Sequence, residues 1–361
     1  MQTKSKNISQ ANNQNESILL QTLSGQKPFR APVWIMRQAG RYLPEYQSIR
    51  SKYDFQTMYK TPELAVEISL QPIRRFEMDA AIVFSDIMII PEAMGMKVEF
   101  IEGKGPVFEY PLTTEESILG LEKMQLEKLH YTLDAIRILD RELPSGIPVI
   151  GFAGAPFTLA KYMTDGKNLK TNRNLKELRY GRPDLLHILL SKITDAIIDY
   201  CHAMIDRGVK IIQIFDSSAG LLDHAGFTEF AWQYSKKIFD SIKTNEVYTI
   251  YFSRSTGQWL RQISGIGSDV FGLDWTISPE AARAALGSNA NIQGNLDPGV
   301  LYADRSIIRE NVASMISSFS EFDQYIANLG HGILPDIPVD SVHEFVDTVK
   351  EESAKIYSRI R

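Results

Sequence analysis

The sequence predicts an α/β protein built as a single (β/α)8 TIM barrel. Eight short segments rich in β-branched or aromatic residues recur along the chain, and stretches long enough for a helix separate them. Most of these segments are apolar in continuous runs, as strands buried on both faces require. Strand followed by helix, repeated eight times, describes a closed parallel barrel.

In chain order the strand candidates are PVWIM (32–36), DAAIVF (79–84), IPVIGF (147–152), VKIIQIF (209–215), VYTIYF (247–252), SDVFGL (268–273), ANIQG (290–294) and YIANLG (325–330). Between them lie the helical patterns PELAVEISLQPIRRF, TEESILGLEKMQLEKLHYTLDAIRILDREL, PDLLHILLSKITDAIIDYCHAMIDRG and SPEAARAALGS. Pro or Thr stands near their starts and Gly near several ends, the usual asymmetry of helix boundaries. A doubly wound open sheet is the alternative. It normally carries a glycine-rich phosphate loop after an early strand, and neither a G-x-G-x-x-G nor a Walker sequence occurs. No repeat, low-complexity linker or composition break marks a second domain, so residues 16–361 are expected to form one domain. The polar, amide-rich residues 1–15 are expected to be a flexible leader.

Apolar residues make up 44% of the 361 and charged residues 23%, the balance of a globular protein with ample core. The formal charge of −5 argues against general attraction to nucleic acid or an anionic membrane, so any anion site is a local cluster of cations. No window approaches a membrane span and no signal peptide is visible. Cys201 is the only cysteine. It rules out an intrachain disulfide and any thiolate metal site needing two cysteines, and it suits a reducing, cytoplasmic location.

In a barrel of this kind the chemistry gathers where strands end. The first strand runs into Arg37 and Arg41, the second into Ser85 and Asp86, the fourth into Asp216 and Ser217, the sixth into Asp274 and Trp275, the seventh into Asn295 and Asp297, and the eighth into His331. Arg37, Arg41, Arg50 and Lys52 form a basic cluster in an acidic chain, suited to a polycarboxylate. The competing interpretation is a solvated helical face on which Arg37 and Arg41 pair with Glu45 or Asp54. Asp86 closes an apolar strand and needs partners or a function; a helix cap or a buried ion pair would also account for it. Asp216-Ser217-Ser218 reads first as a capping sequence. His331 lies in GHG, where glycines allow close approach to a ligand. Tyr162 follows the third strand through a Gly/Pro loop and offers a phenol to an apolar pocket, although a lone aromatic is more often core. No HExxH, paired cysteines or G-x-S-x-G occurs, so neither a metal centre nor a serine triad is expected.

From about residue 17 onward these segments resemble the uroporphyrinogen decarboxylase family. PVWIMRQAGRYLPEY and GFAGAPFTLAKYM are similar to its two signatures, and FSDIMIIPEAMG, IFDSSAGLL, GLDW, IQGNLDP and NLGHGI come after one another in its order. The resemblance implies a cofactor-independent carboxy-lyase of haem and porphyrin biosynthesis. Such an enzyme converts the four acetate arms of uroporphyrinogen III to methyls, giving coproporphyrinogen III and carbon dioxide. It also implies a deep polar cleft and a homodimer. Carried over by position, Arg37, Arg41 and His331 look like binders of acetate and propionate, Asp86 like the acceptor of pyrrole N–H bonds, and Tyr162 and Ser217 like further polar contacts. Asp86 would stabilise positive charge on a protonated pyrrole, itself the electron sink for departing carbon dioxide. For the proton donor the resemblance points to Arg37, whereas chemistry near neutral pH favours His331. TDGKNLKTNRNL after Tyr162, Ser218 and Phe157 depart from the family pattern. A thiol-dependent methyltransferase of the same superfamily would need more than one cysteine; a non-catalytic tetrapyrrole carrier would not need Asp86.

Overall fold

A computed structural model describes residues 17–101, 105–166, 171–322 and 324–360. The expected leader, residues 1–15, lies outside the described residues, as does 167–170 of the loop after Tyr162. Among the described residues nine strands form: β1 (Ala81–Ile82), β2 (Val98–Ile101), β3 (Gly105–Phe108), β4 (Val149–Gly154), β5 (Ile211–Asp216), β6 (Tyr248–Ser253), β7 (Val270–Gly272), β8 (Asn291–Leu296) and β9 (Gln324–Leu329). Seven of them make one curled parallel sheet in the order β1-β4-β5-β6-β7-β8-β9, and helices cover its outer face. β2 and β3 form a separate antiparallel hairpin that the sequence analysis did not anticipate.

Parity along each strand sorts its side chains. On β6, Tyr248, Ile250 and Phe252 point inward and join Trp34, Met36, Ile82, Ile150, Ile211, Val270 and Ile326 in an apolar inner core. Ile212 and Ile214 of β5 and Tyr251 of β6 face the helical layer. Inside the curl the Trp34 indole N–H donates to Gln293 Oε1 at 3.0 Å, and Gln293 Nε2 donates to Gln213 Oε1 at 3.1 Å, so buried amides on two strands satisfy each other. A short helix, Ile18–Leu23, adds Leu19 and Leu23 to this core. Gly25 just beyond it lies against Gln324, the first residue of β9, which sets the helix at the end where strands begin.

Seven strands, not eight, complete the ladder, and the predicted first strand is the exception. Pro32–Met36 enters through a single parallel bridge, Val33 with Ala327 of β9. The reason is local. Pro32 has no N–H, the Val33 N–H goes to the Asp79 carboxylate at 2.7 Å, and the Met36 N–H goes to Asn328 Oδ1 at 3.2 Å. Side chains take up donors that a ladder would use. The segment nevertheless touches both edges of the sheet: the Ala327 N–H donates to the Pro32 carbonyl at 2.9 Å, and the Asp79 N–H donates to the Val33 carbonyl at 2.8 Å. Arg30 clamps Asp79 with both guanidinium nitrogens, at 2.7 and 2.8 Å.

Helices Pro62–Phe76, Pro183–Asp206 and Pro279–Leu286 form where proline and apolar spacing placed them. The pattern from 114 to 143 is broken instead, into Glu115–Leu119, a 3-10 turn at Leu126–Leu129 and His130–Glu142. Thr114 and Ser117 cap the first piece reciprocally, and Gly120 ends it. Among the described residues no helix is long and apolar enough to cross a membrane.

Candidate active site

At the end of β1 the chain turns into the helix Ile89–Ala93, and Asp86 lies in that turn. Its Oδ1 accepts the Met88 N–H at 2.8 Å, so the carboxylate steadies the turn, while no described residue donates a hydrogen bond to Oδ2. Burial pushes the Asp86 carboxyl up to about 6, against the pull of the Met88 N–H and the Arg37 guanidinium. Near neutral pH it is an anion held at some cost, with one oxygen available.

Arg37 leaves the Pro32–Met36 segment with a left-handed backbone, φ 61°, which costs a non-glycine residue about 1 kcal/mol. Its stem lies over Gly332: a Cβ there would stand 2.5 Å from Arg37 Cδ, so the second glycine of GHG makes room for the arginine. The Ile333 N–H donates to the Met36 carbonyl at 3.0 Å and ties the two loops together. The surface-pairing alternative does not hold, because Glu45 is engaged by Arg75 at 2.7 Å and Asp54 caps Thr57 at 2.8 Å. Arg37 is exposed and forms no ion-pair contact among the described residues.

His331 closes the other side of that loop. Its ring stands edge-on to Phe252 and Trp275, each 6.2 Å away between centroids. Burial pushes its imidazole down to about 4, and Arg37 and Arg254 press the same way, so His331 is neutral at neutral pH. A neutral imidazole weighs against the expectation that it is the easier proton donor. Phe252 meets Phe215 at 6.0 Å, and Phe215 meets Phe152 at 5.7 Å, so rings from β4, β5 and β6 run in a row to the histidine. Tyr162 is half-buried; burial raises its phenol, with Asp86 and Arg37 both within electrostatic reach. The partly open faces of Phe152, Phe215 and Tyr162, with opposite charges nearby, suit a flat, apolar-centred molecule with anionic arms.

Comparison with known proteins agrees with this geometry. The profile of the family described as uroporphyrinogen decarboxylase matches residues 14–352. The chain belongs to the uroporphyrinogen decarboxylase family. Proteins named uroporphyrinogen decarboxylase from Hahella chejuensis and Vibrio cholerae are 44% and 43% identical to it, covering 90% and 89% of this chain and 92% and 93% of theirs. A methyltransferase from Methanosarcina mazei has a similar fold, with a TM-score of 0.77 at 20% identity over 92% of this chain and 97% of its own.

Of the six positions matched to the uroporphyrinogen decarboxylase motifs, Arg37, Asp86, Tyr162 and His331 converge. Arg41 and Ser217 are exposed, and the contacts described for Arg41 are local: Tyr46 feels its charge and its carbonyl accepts from Gln47 at 2.6 Å. Asp216 is not a cap, as its sequence first suggested. Strand parity turns it away from the curl, where its carboxylate accepts the Thr158 hydroxyl at 2.8 Å and the Tyr251 hydroxyl at 3.0 Å in full burial. The Ser218 N–H in turn donates to Thr158 Oγ1 at 3.0 Å, so this buried trio fixes the turn that carries Ser217. Asp274 plays a comparable part, accepting the Thr276 N–H at 2.8 Å and the Ser255 N–H. Arg254 was missed by the sequence reading. It directly follows Ser253, the last residue of β6, and that position was the available signal.

Proposed function

We propose that this protein is a carboxy-lyase that converts uroporphyrinogen to coproporphyrinogen, releasing the four acetate carboxyl groups as carbon dioxide in porphyrin and haem biosynthesis. The observation that carries the reading is the presence together of Asp86, with one oxygen unbonded, and Arg37, with no ion-pair partner among the described residues, with the partly open rings of Phe152 and Phe215 on neighbouring strands.

In this reading Asp86 accepts pyrrole N–H groups and holds the porphyrinogen at its centre. Protonating a ring carbon beside an acetate arm makes that pyrrole cationic, and the fixed carboxylate stabilises the developing charge most strongly where protein has displaced water. The electrons of the breaking carbon–carboxyl bond flow into the ring, carbon dioxide leaves, a second proton converts the remaining carbon to a methyl, and the ring carbon gives up the first proton as the pyrrole regains its aromaticity. Each turn consumes one proton net. The ring is its own electron acceptor, so the reading requires no cofactor. Arg37 binds a carboxylate arm and is assigned the delivery of the proton, because neutral His331 has no imidazolium proton to give. His331, Arg41, Tyr162 and Ser217 serve as polar contacts for the remaining arms.

The same reading includes a closed eightfold barrel within one domain, residues 16–361, with Pro32–Met36 as the eighth member; its support is the bonding of that segment to Ala327 on one side and Asp79 on the other. A cytoplasmic homodimer completes it, on the family resemblance.

Incubating the purified protein with uroporphyrinogen under reducing, metal-free conditions, then oxidising and separating the porphyrins, tests the conclusion. The eight-carboxyl species is expected to give way to the four-carboxyl product; its persistence defeats the reading, and binding without conversion identifies a carrier.

A further inference from the structure

Counting round the sheet, Arg37 follows the Pro32–Met36 segment and Arg254 follows β6. Three strands separate them in one direction, β1, β4 and β5, and three in the other, β7, β8 and β9. The backbone positions of the two arginines therefore lie half a circuit of the sheet apart, and both side chains come within electrostatic reach of His331. Arg254 is exposed and makes no ion pair among the described residues, yet its backbone is firmly held. The adjoining Ser255 N–H is gripped by the buried Asp274 carboxylate, and Gly220 lies so close to the Arg254 carbonyl that a Cβ there would sit 2.6 Å away. The guanidinium lies 5.5 Å over the Trp275 ring, and that ring stands edge-on to His331. Lys161, on the helix Pro156–Asp165 after β4, places its ammonium 5.5 Å over the Tyr162 ring, within electrostatic reach of Asp165 on its own helix and of Arg254. Two cations held near each other without a salt bridge among the described residues leave a place for an anion.

We propose that Arg254 is a further substrate-binding residue: stacked on Trp275 and flanked by Lys161, it receives a carboxylate arm half a circuit of the sheet from Arg37. The proposal rests on the function above and deepens it. A tetrapyrrole carrying carboxylates round its whole perimeter is gripped at two places, which fixes its plane over the aromatic row. An arginine spread on an indole is pre-organised for a bidentate carboxylate. Lysine in its place would keep the charge and lose the fork.

The test compares the full-length protein with Arg254→Gln, Arg254→Lys and Lys161→Gln, using uroporphyrinogen as substrate. Arg254→Gln is expected to raise KM about tenfold, the worth of one charge-assisted hydrogen-bonding contact, while kcat changes less than about twofold and the melting temperature holds. Arg254→Lys should recover part of that loss, Lys161→Gln should raise KM by a smaller factor, and the rise of KM with added salt should flatten in Arg254→Gln. If Arg254→Gln leaves KM and its salt dependence unchanged in an enzyme whose wild type decarboxylates, the proposal falls and the function stands. A lowered melting temperature with kcat and KM falling together marks a structural role and also overturns it. A wild type that does not decarboxylate removes both.

Discussion

The β5–β6 ladder and the seam at Pro32–Met36 join the same curled sheet by different means. From Ile211 opposite Tyr248 to Asp216 opposite Ser253, six consecutive residue pairs lie in register between β5 and β6. At the seam one bridge remains, and the burden passes to the Asp79 carboxylate, the Arg30 fork and the Asn328 amide. Regular backbone pairing makes a rigid wall. A seam held by side chains leaves the chain free to adopt the left-handed turn at Arg37, within electrostatic reach of Asp86. The irregular region carries the candidate chemistry; the regular one frames it.

Substitutions on the two sides put that contrast to the test. The largest expected effect is on stability at the seam: Asp79→Ala strands the Arg30 guanidinium and the Val33 N–H, and should cost about 3–5 kcal/mol in denaturant unfolding. A loss near 1 kcal/mol instead would show that the seam is held mainly by packing. Asp86→Asn keeps the shape of the turn and removes its charge. Turnover is expected to fall about 10²–10³-fold. The unfolding midpoint near pH 7 should not fall, since the folded Asp86 carboxyl sits well above the ordinary range and its ionisation opposes folding as pH rises; unchanged turnover would end the electrostatic role assigned to Asp86. The same group sets the acid limb of the wild-type profile. Because the anion is the active form, kcat/KM should decline as pH is lowered through about 6, and the Asp86→Asn variant should lose that limb. The smallest effect belongs to the wall: Ile250→Val, fully buried on β6, should cost about 1 kcal/mol in unfolding with kcat unaltered.

The sequence made the wall easy to read and the seam hard. IPVIGF, VKIIQIF, VYTIYF and YIANLG lie within two residues of β4, β5, β6 and β9, because double burial imposes an apolar run that turn residues punctuate. PVWIM has an equally good apolar run, but its donors are claimed by Asp79 and Asn328, which lie 46 and 292 residues away from their partners in sequence. No local pattern reports such bonds. The β2–β3 hairpin escaped because its two short strands interrupt a connection between helices instead of joining the eightfold rhythm. Among candidate site residues, Arg37, Asp86 and His331 were singled out by their places just past strand ends, and Tyr162 by its place beyond the Gly/Pro loop after the third strand. The charge state of His331 was not legible, because it depends on burial and on two arginines from other loops. Asp216 looked like a cap for want of strand parity, which turns it outward onto Thr158 and Tyr251.

The stopper formed by Leu19 and Leu23 governs traffic through the molecule. Among the described residues the inside of the curl is filled with apolar side chains from Trp34 to Tyr248, and Leu19 and Leu23 pack in at the end where strands begin. A tetrapyrrole and the gas it releases must share one doorway. Each departing carbon dioxide leaves past the rim of the macrocycle that produced it, and the fit between ring and doorway sets how tightly water is shut out while the gas escapes.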